Sequence, residues 1–540
     1  MRVRRGISLA ICLCCVVVLS ASAAPFPTAR VTLRINTASR EFKIPPGFVG
    51  LGFETASELP DHYGVSGYFF TPKNIQLITL FKNIGVKTIR LGGDTVDGHG
   101  RRNCDVPIPT DADIHHLFKF AQAAGIKVIY SLRLLNPTAC AIPDLPSVDA
   151  RIAGYILDHY RANLDSFAIG NEPDVRGYHT YASHVVDPLI YETVAGDPGS
   201  AYPSYLADWR RVAKAVLTAV PDAKFSGPDT AVSRSGTFTP NPSTGISWTQ
   251  AFARDEKNSG HLAAATQHEY VWGKPGDTTA QQAINNMLSP AWDNDTSIGT
   301  QPAGKGAKTF TPYPYLYNHN LLPIVRLGIP YRMTEANDCL HGVDGASNGF
   351  SAALWALDYM HWWAAHHMAS VHFHNNPWIP TDTVVPDPNP CPASGCGNYR
   401  VTPKGYGMKA FELGSHGYVE PVAISNPRNI NLTAYAVGDA HDLYVTIINK
   451  THSSTHDATA AEVTIQPKHF KAAAASWISL TDGQPGNASL MTAALGGAPI
   501  TNHSRWVGKW KPLHAGKNGN VTLTVQATTA AVVKIRAASQ

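Results

Sequence analysis

The sequence predicts an α/β protein that consists of a (β/α)8 TIM barrel and a C-terminal β-sandwich. Short apolar runs alternate with segments of helical periodicity through most of the chain. Two of these runs end on a glutamate, Glu172 in SFAIGNEPD and Glu335 in IPYRMTEAND. After about Ser415 the pattern changes to short strand candidates separated by Asn, Gly, Ser and Thr turns, which is typical of a sandwich.

The first 24 residues predict a secretory signal peptide. Three arginines precede an apolar run at residues 7–19, and Ala21, Ser22 and Ala23 form a small-residue cleavage site. The apolar run is shorter than the roughly 20 residues of a membrane span. We therefore expect a secreted or periplasmic protein that has no membrane association after cleavage. Cleavage leaves 41 basic and 40 acidic residues, a net charge of +1, which does not favour a nucleic-acid partner.

The predicted barrel occupies residues 46–414 and the predicted sandwich residues 415–540. An alternating strand within residues 29–40 is expected to join the sandwich. Eight barrel strands are predicted, with helices between them, at residues 48–54, 86–91, 127–132, 166–170, 224–228, 263–270, 331–335 and 370–374. In this order Glu172 follows strand 4 and Glu335 ends strand 7.

The two glutamates are candidates for a catalytic pair. Gly170 and Pro173 end the fourth strand, so Glu172 is expected at the C-terminal edge of the barrel, where such folds carry their chemistry. Two carboxylates on two strands of one barrel can face each other, as glycoside hydrolysis requires. Adjacent side chains of a strand face opposite sides, so Glu269 and Tyr270 cannot both point inward, and we favour Tyr270.

Several motifs occur in an order that resembles glycoside hydrolase family 79 of clan A, the β-glucuronidases and heparanase-like enzymes. They are GLGFE, RLGGDTVDG, AIGNEPD, QHEY and TEANDCLHG. The resemblance implies that Glu172 is the general acid/base and Glu335 the nucleophile of a retaining mechanism. It implies an exo-acting β-glucuronidase that hydrolyses a β-glucuronide-bearing glycan or glycoside and needs no metal and no cofactor.

The resemblance also implies roles for other side chains. Asn171 would bind the sugar 2-hydroxyl, Tyr270 the nucleophile, and Glu54 further sugar hydroxyls. Asp94 falls at a polar position of the family, and Asp97 matches a recurring aspartate or, equally, stabilises a loop. Three residues are expected to support the glutamates from below or beside the site: Arg90, His268 and His374.

The resemblance assigns the sugar carboxylate to a Gly-rich loop after strand 7 and to a tyrosine beyond strand 8. Gly342 lies in this loop, but His341 stands where the family often has a second glycine. Tyr399 is our candidate tyrosine, Tyr406 is the alternative, and Lys404 is a nearby cation.

Other functions remain open at this stage. An endo-acting heparanase-like enzyme is one, although a net charge near +1 gives little attraction for a sulfated polymer. A xylosidase or glucosidase is another, because a glutamate pair does not define the sugar. A non-catalytic carbohydrate-binding protein is least favoured, because both glutamates are present. The sequence does not predict the aglycone or the oligomeric state.

Five cysteines follow the signal peptide. Cys391 and Cys396 are close enough in sequence for a small loop disulfide, and Cys104 and Cys140 could pair between neighbouring loops. Cys339 is left over, and no Cys/His arrangement suggests that it is catalytic.

Overall fold

The computed structural model describes thirteen segments of the chain: residues 26–62, 66–97, 106–135, 142–175, 202–231, 246–272, 275–297, 299–300, 309–376, 379–386, 399–455, 457–516 and 518–538. The predicted signal peptide and the cysteines at positions 104, 140, 391 and 396 lie outside these residues. Cys339 is a buried free cysteine, and burial raises the pKa of its thiol, which disfavours a nucleophilic thiolate.

A closed barrel of eight parallel strands forms the centre of the molecule, and this confirms the predicted fold class. Strand β1 (Thr28–Asn36) precedes the barrel and lies outside it. The barrel strands follow one another in chain order, and the last pairs with the first. They are β2 (Val49–Glu54), β3 (Thr88–Gly92), β4 (Lys127–Leu132), β5 (Leu164–Ile169), β6 (Phe225–Ala231), β7 (Leu262–Tyr270), β8 (Tyr331–Asn337) and β9 (Ser370–Asn375).

Helices pack around the barrel, and some of them begin at side-chain caps. Asn74 accepts a hydrogen bond from the Leu77 amide, and Thr110 and Asp113 form a capping box. No helix within the described segments is long and apolar enough to cross a membrane. The longer helices are α1 (Ile75–Ile84), α2 (Asp111–Ala124), α3 (Leu145–Tyr160), α4 (Tyr202–Ala219), α5 (Trp248–Glu256), α6 (Ala280–Met287), α7 (Phe350–Ala365) and α8 (Pro403–Gly414).

Two sheets follow the barrel strands, apart from a short hairpin of β10 (Val384–Pro386) and β11 (Tyr399–Val401). Two-residue strands at Gly299–Thr300 and Thr309–Phe310 pair with each other before β8. The strands after β11 are β12 (Tyr418–Glu420), β13 (Val422–Ser425), β14 (Leu432–Gly438), β15 (Asp442–Asn449), β16 (Ala460–Lys468), β17 (Ala472–Thr481), β18 (Ala494–Leu495), β19 (Lys511–Leu513), β20 (Val521–Val525) and β21 (Thr529–Ala537). One sheet has the order β13-β1-β16-β20, and the other has the order β12-β14-β15-β21-β17-β18 with β19 beside β17. Alternating apolar residues of both sheets form a shared core.

Strand alternation decides which side chains enter the barrel. On β2, a Cβ atom at Gly50 would overlap the ring of His372, so glycine leaves room for that ring inside the barrel. A Cβ atom at Gly52 would lie in ordinary contact with His374, 3.6 Å from Nδ1, and Glu54 therefore also points inward. Phe53 points outward, where it packs against Phe70.

Helix α7 lies between the barrel and the sandwich and is buried over nearly its whole length. Its Asp358 accepts hydrogen bonds from Thr433 and Tyr435 of β14, both at 2.7 Å, and from Lys450 at 2.5 Å. Lys450 also binds Asp293. Lys450 thus pairs with both carboxylates at the contact between the barrel and the sandwich. These ion pairs offset the cost of burying the charges in a region of low dielectric.

The contact between α7 and α8 depends on a glycine. A Cβ atom at Gly407 would overlap the carbonyl oxygen of Ala353, whereas a Cβ atom at Gly154 in α3 would have no neighbour within 4 Å. We expect Gly407→Ala to lower the free energy of unfolding by about 1–3 kcal/mol through overpacking. Gly154→Ala is the matched control and should raise it by roughly 0.5–1 kcal/mol, because alanine is the better helix former. Denaturant unfolding of both variants measures this, and equal effects would contradict the packing argument.

Candidate active site

The C-terminal ends of the barrel strands bring most of the predicted site residues into one buried cluster. The fourth strand β5 leads to Asn171 and Glu172, and β8 carries Glu335. These three side chains are almost completely buried. The cluster also contains Glu54, Arg90, Asp94, His268, Tyr270 and His374.

Glu172 and Glu335 face each other at the centre of the cluster. One carboxylate oxygen of each glutamate and one ring nitrogen of His268 lie within 4.8 Å of one another. Glu172 has a φ of +46°, an uncommon value for glutamate, and its amide donates to the carbonyl oxygen of Asp229 at 2.9 Å. That hydrogen bond holds the turn after β5 in the conformation that presents Glu172 to Glu335.

Glu335 is held by a hydroxyl group and by a cation. The Tyr270 hydroxyl donates to Oε1 at 2.5 Å, and Arg90 Nη1 donates to Oε2 at 3.0 Å. Burial alone would raise the pKa of Glu335, but His374, His268 and Arg90 together keep that pKa below its usual value. Glu335 is therefore ionised at neutral pH, which is the state that a nucleophilic carboxylate requires.

His268 lies between the two glutamates. Its Nδ1 is 3.2 Å from Glu172 Oε1 and 3.7 Å from Glu335 Oε2. Burial would lower the pKa of His268, but Glu335 and Glu172 raise it above its usual value. The imidazole can thus share a proton with Glu172, the predicted acid/base.

Glu54 and Asp94 line the other side of the cluster. The Thr95 amide and hydroxyl both donate to Glu54 Oε2 at 2.8 Å, and His374 Nε2 lies 3.5 Å from Glu54 Oε1. Burial and Asp94 raise the pKa of Glu54. Asn171 connects the two sides, because its side-chain amide lies 3.5 Å from Asp94 Oδ1 and its oxygen accepts from Arg90 at 2.8 Å.

Asp229 belongs to the same cluster, and our sequence analysis missed it. Its carboxylate accepts hydrogen bonds from Arg90 at 2.9 Å and from Thr334 at 2.6 Å. The signal was present in the sequence, because Asp229 stands near the end of the fifth strand within SGPDT. Like Glu172, it is an acidic residue near the end of a predicted barrel strand.

Tyr399 and Tyr406 make their contacts outside the cluster, and the assignment of the sugar carboxylate to either one stays a prediction. Tyr399 is buried outside the barrel, 5.5 Å from the ring of Phe69 in an edge-to-face contact. Phe69 packs against Phe53, which faces outward. The Tyr406 hydroxyl accepts a hydrogen bond from the Ile500 amide in the sandwich.

Asp97, Gly342 and Lys404 make contacts that stabilise the loops around the cluster. Asp97 accepts from the amides of Leu134 and Leu135 at 2.8 and 2.9 Å, which is the loop-stabilising role left open by the sequence. Gly342 has a φ of +75° and lies against Thr381 in the loop after β9.

Lys404 is fully buried and donates to Asn337 Oδ1 and to the Thr381 carbonyl oxygen, both at 2.6 Å. Its ammonium group connects the end of β8 to the loop after β9.

The cluster contains a group with the geometry of metal ligands. Among the described residues, Glu172, His268 and Glu335 each offer a ligand atom at suitable separation. Arg90 already lies 3.0 Å from Glu335 Oε2, and both His268 and His374 lie 3.7 Å from the same oxygen. This positive surrounding would repel a further cation, so we interpret the three residues as an acid–base group.

No protein-family model matches the chain. A curated β-glucuronidase of Aspergillus niger is 26% identical over 221 residues, which is 39% of this chain and 34% of the fungal protein. The matched region thus spans about a third of that relative.

Solved glycoside hydrolases match nearly the whole chain in structure. An arabinofuranosidase of family GH51 from Xanthomonas axonopodis pv. citri has a TM-score of 0.60 at 14% identity and covers 94% of this chain and 100% of its own. A 4-O-α-L-rhamnosyl-β-D-glucuronidase from Fusarium oxysporum has a TM-score of 0.59 at 14% identity, with coverage of 94% and 99%. The bifunctional glucanase-xylanase CelM2 from a metagenome library has 0.61 at 14%, with coverage of 95% and 100%. At these identities the similarity establishes a shared fold.

The ion pairs of Arg90 lead to a stability prediction. Replacing Arg90 by methionine leaves the carboxylates of Asp229 and Glu335 buried without their cation, so we expect a loss of about 3–5 kcal/mol at pH 7. Both carboxyl groups have a lowered pKa in the folded protein. Their stabilising contribution is present above the ordinary carboxyl pKa, roughly 4, and is lost as the pH falls through the lowered folded value.

In the variant the same two carboxyls are buried without their cation, and burial raises their pKa values. The deficit of Arg90→Met should therefore shrink between pH 7 and pH 4, because protonation removes the uncompensated buried charges. Denaturant unfolding at both pH values measures it. Arg151→Met is the control: this arginine pairs with Asp111 at the surface, with about half of each side chain exposed. It should cost less than about 1 kcal/mol. A deficit of Arg90→Met that is equal at both pH values would contradict the charge argument.

Proposed function

We propose that the chain is an exported retaining β-glycosidase, and more specifically an exo-acting β-glucuronidase of the family 79 type that acts on terminal β-D-glucuronides. The observation that carries this proposal is the pair Glu172 and Glu335, whose nearest described oxygens lie within 4.8 Å. Retaining enzymes hold their two carboxyl groups about 5–5.5 Å apart, whereas inverting enzymes leave about 6.5–9.5 Å for a water molecule. Two carboxylate oxygens within 4.8 Å leave little room for such a water molecule between them, and this supports a double displacement.

In the first step of the proposed reaction, Glu335 attacks the anomeric carbon and Glu172 gives a proton to the leaving oxygen. The glycosidic bond breaks, and a covalent glycosyl-enzyme forms. Arg90 and the Tyr270 hydroxyl keep Glu335 ionised and correctly oriented before the attack. Asn171 and Glu54 are placed to bind sugar hydroxyls as positive charge develops on the ring.

In the second step, Glu172 is a carboxylate and removes a proton from water. The oxygen of that water attacks the anomeric carbon, and Glu335 leaves with its original charge. His268, 3.2 Å from Glu172, stabilises the carboxylate that exists between the two steps.

The choice of glucuronide rests on two kinds of support. One is the motif order of the sequence, and the other is the partial match to the Aspergillus β-glucuronidase. The Fusarium neighbour also acts on a β-glucuronide, as its name states, although its similarity to this chain concerns the fold. Export is supported by the basic start, apolar run and cleavage site of residues 1–24.

The two roles can be separated with azide as an external nucleophile. Glu172→Ala should accumulate the glycosyl-enzyme from a substrate with an activated leaving group, and azide should then give a glycosyl azide of retained configuration. Glu335→Gly cannot form that intermediate, so azide should attack the opposite face and give the inverted product. Without azide both variants should lose at least about 100-fold in kcat. Product configuration, read by proton NMR, would reverse if the roles were exchanged.

Glu269→Gln is the matched control. Glu269 is buried on β7 next to Tyr270, but its carboxyl group accepts from the Tyr359 hydroxyl at 2.5 Å outside the cluster. Burial raises the pKa of Glu269 to about 8, so at pH 7 the group is mostly protonated and glutamine resembles it closely. Activity at pH 7 should therefore remain within about threefold of wild type.

The substrate is tested with p-nitrophenyl β-glycosides of glucuronic acid, glucose, galactose and xylose. The protein is taken from the exported fraction of the expression host, where its N-terminus should lie near residue 24. We expect turnover of the glucuronide at least about 100-fold above the neutral sugars in kcat/KM. Turnover of a neutral sugar alone would keep the two-glutamate mechanism and overturn the glucuronide assignment. Cleavage confined to internal bonds of a uronic-acid polymer would favour the heparanase-like alternative.

A further inference from the structure

We propose that Asp229 is a positioning residue of the catalytic centre, which holds both glutamates in register through Arg90, Thr334 and its own backbone. This inference rests on the proposed glycosidase function and adds a residue to it. Asp229 is 1% exposed and lies on β6, next to the rest of the cluster. Its carboxylate is bound by Arg90 and Thr334, so it would act through these neighbours.

The carboxylate of Asp229 connects to the nucleophile by two routes. Oδ2 accepts from Arg90 Nη2 at 2.9 Å, and Nη1 of the same guanidinium donates to Glu335 at 3.0 Å. Oδ1 accepts from the hydroxyl of Thr334, the residue that precedes Glu335 on β8, at 2.6 Å. The planar guanidinium cannot turn without breaking one of its bonds, so Asp229 restricts the direction from which Arg90 meets Glu335.

The backbone of Asp229 connects to the acid/base. Its carbonyl oxygen accepts from the Glu172 amide at 2.9 Å, and its own amide donates to the Thr266 hydroxyl oxygen at 3.1 Å. Asp229 has a φ of +57° and Glu172 has a φ of +46°. Asp229 on β6 and Glu172 in the turn after β5 thus both adopt the left-handed region, and one hydrogen bond joins them. This geometry couples the position of Glu172 to that of Asp229.

The charge of Asp229 also reaches His268. Nε2 of His268 lies 3.9 Å from Asp229 Oδ1, while its Nδ1 faces Glu172. A negative charge at this distance strengthens the hold of the imidazole on its proton. The charged and titratable groups that surround Asp229 and His268 are Arg90 on β3, Glu172 after β5, Tyr270 on β7, Glu335 on β8 and His374 on β9.

Asp229→Asn tests the role of the charge with little change of shape. The asparagine oxygen can still accept from Arg90, and its amide can donate to Thr334, whose hydroxyl can turn towards the Gln267 carbonyl oxygen at 3.4 Å. We expect kcat to fall about 10- to 100-fold with KM changed by less than about threefold. Loss of one negative charge should weaken proton binding by both His268 and Glu335. Both limbs of the pH profile should therefore move to lower pH by about 1 unit.

Asp165→Asn is the matched control. Asp165 lies on β5, the strand that leads to Glu172, but at its opposite end, where it pairs with Arg332 at 2.5 Å. This variant also loses a carboxylate from an arginine pair inside the same barrel. Its pH profile should superimpose on that of the wild type. A shift in Asp165→Asn equal to that in Asp229→Asn would overturn the proposal.

A measurement without substrate separates this proposal from the proposed function. In protein labelled with ¹⁵N-histidine, the His268 signals are assigned by their absence in His268→Gln and followed as a function of pH. The titration midpoint should fall by about 1 unit in Asp229→Asn and stay unchanged in Asp165→Asn. An unmoved midpoint would overturn the electrostatic role of Asp229. A wild type that hydrolyses no glycoside, with the midpoint shift present, would overturn the proposed function alone.

Thr334→Val decides the matter if Asp229→Asn does not fold. Valine keeps the volume and the charge of the site but removes the hydroxyl that holds Asp229 Oδ1. A loss of kcat with unchanged KM supports positioning through Asp229. Unchanged kcat overturns it.

Discussion

A single buried guanidinium determines much of this molecule. Arg90 is completely buried inside the barrel, and a charge in that environment is stable only when oppositely charged and polar partners surround it. Glu335, Asp229 and Asn171 supply those partners from three other strands. Because the partners must converge on one planar group, four strand ends are held at defined distances. The spacing of the two candidate catalytic glutamates follows from this requirement.

The same centre shows how proton affinity depends on neighbours. Glu335 and Glu54 are both buried glutamates, yet their pKa values move in opposite directions. The cations around Glu335 outweigh its burial, whereas Glu54 has Asp94 close by and is reached by one histidine at 3.5 Å. One carboxylate is therefore suited to be an ionised nucleophile. The other accepts two hydrogen bonds from Thr95 and is the candidate for binding hydroxyl groups.

The parts of the chain outside the barrel stabilise it through a second buried charge group. Lys450, after β15, binds Asp358 on α7 and Asp293, and two hydroxyl groups of β14 complete the shell. Strand β1 lies parallel to β16 and antiparallel to β13, so the smaller sheet combines segments from both ends of the described chain. The sandwich therefore contains strands from before and after the barrel in the chain.

The sequence by itself determined the eight alternating strands and the two glutamates at strand ends. Strands that are buried on both faces appear as short apolar runs, and the polar residues that follow these runs mark the strand ends. It also identified Arg90, Asn171, His268 and Tyr270, which lie in motifs beside those glutamates. Only the tertiary structure decided the roles of Asp229, Lys404 and Tyr399. Asp229 and Lys404 act through partners more than 60 residues away, and Tyr399 faces the outer layer because of how its hairpin packs. Such contacts join residues that are far apart in the chain, so the local sequence pattern does not reveal them.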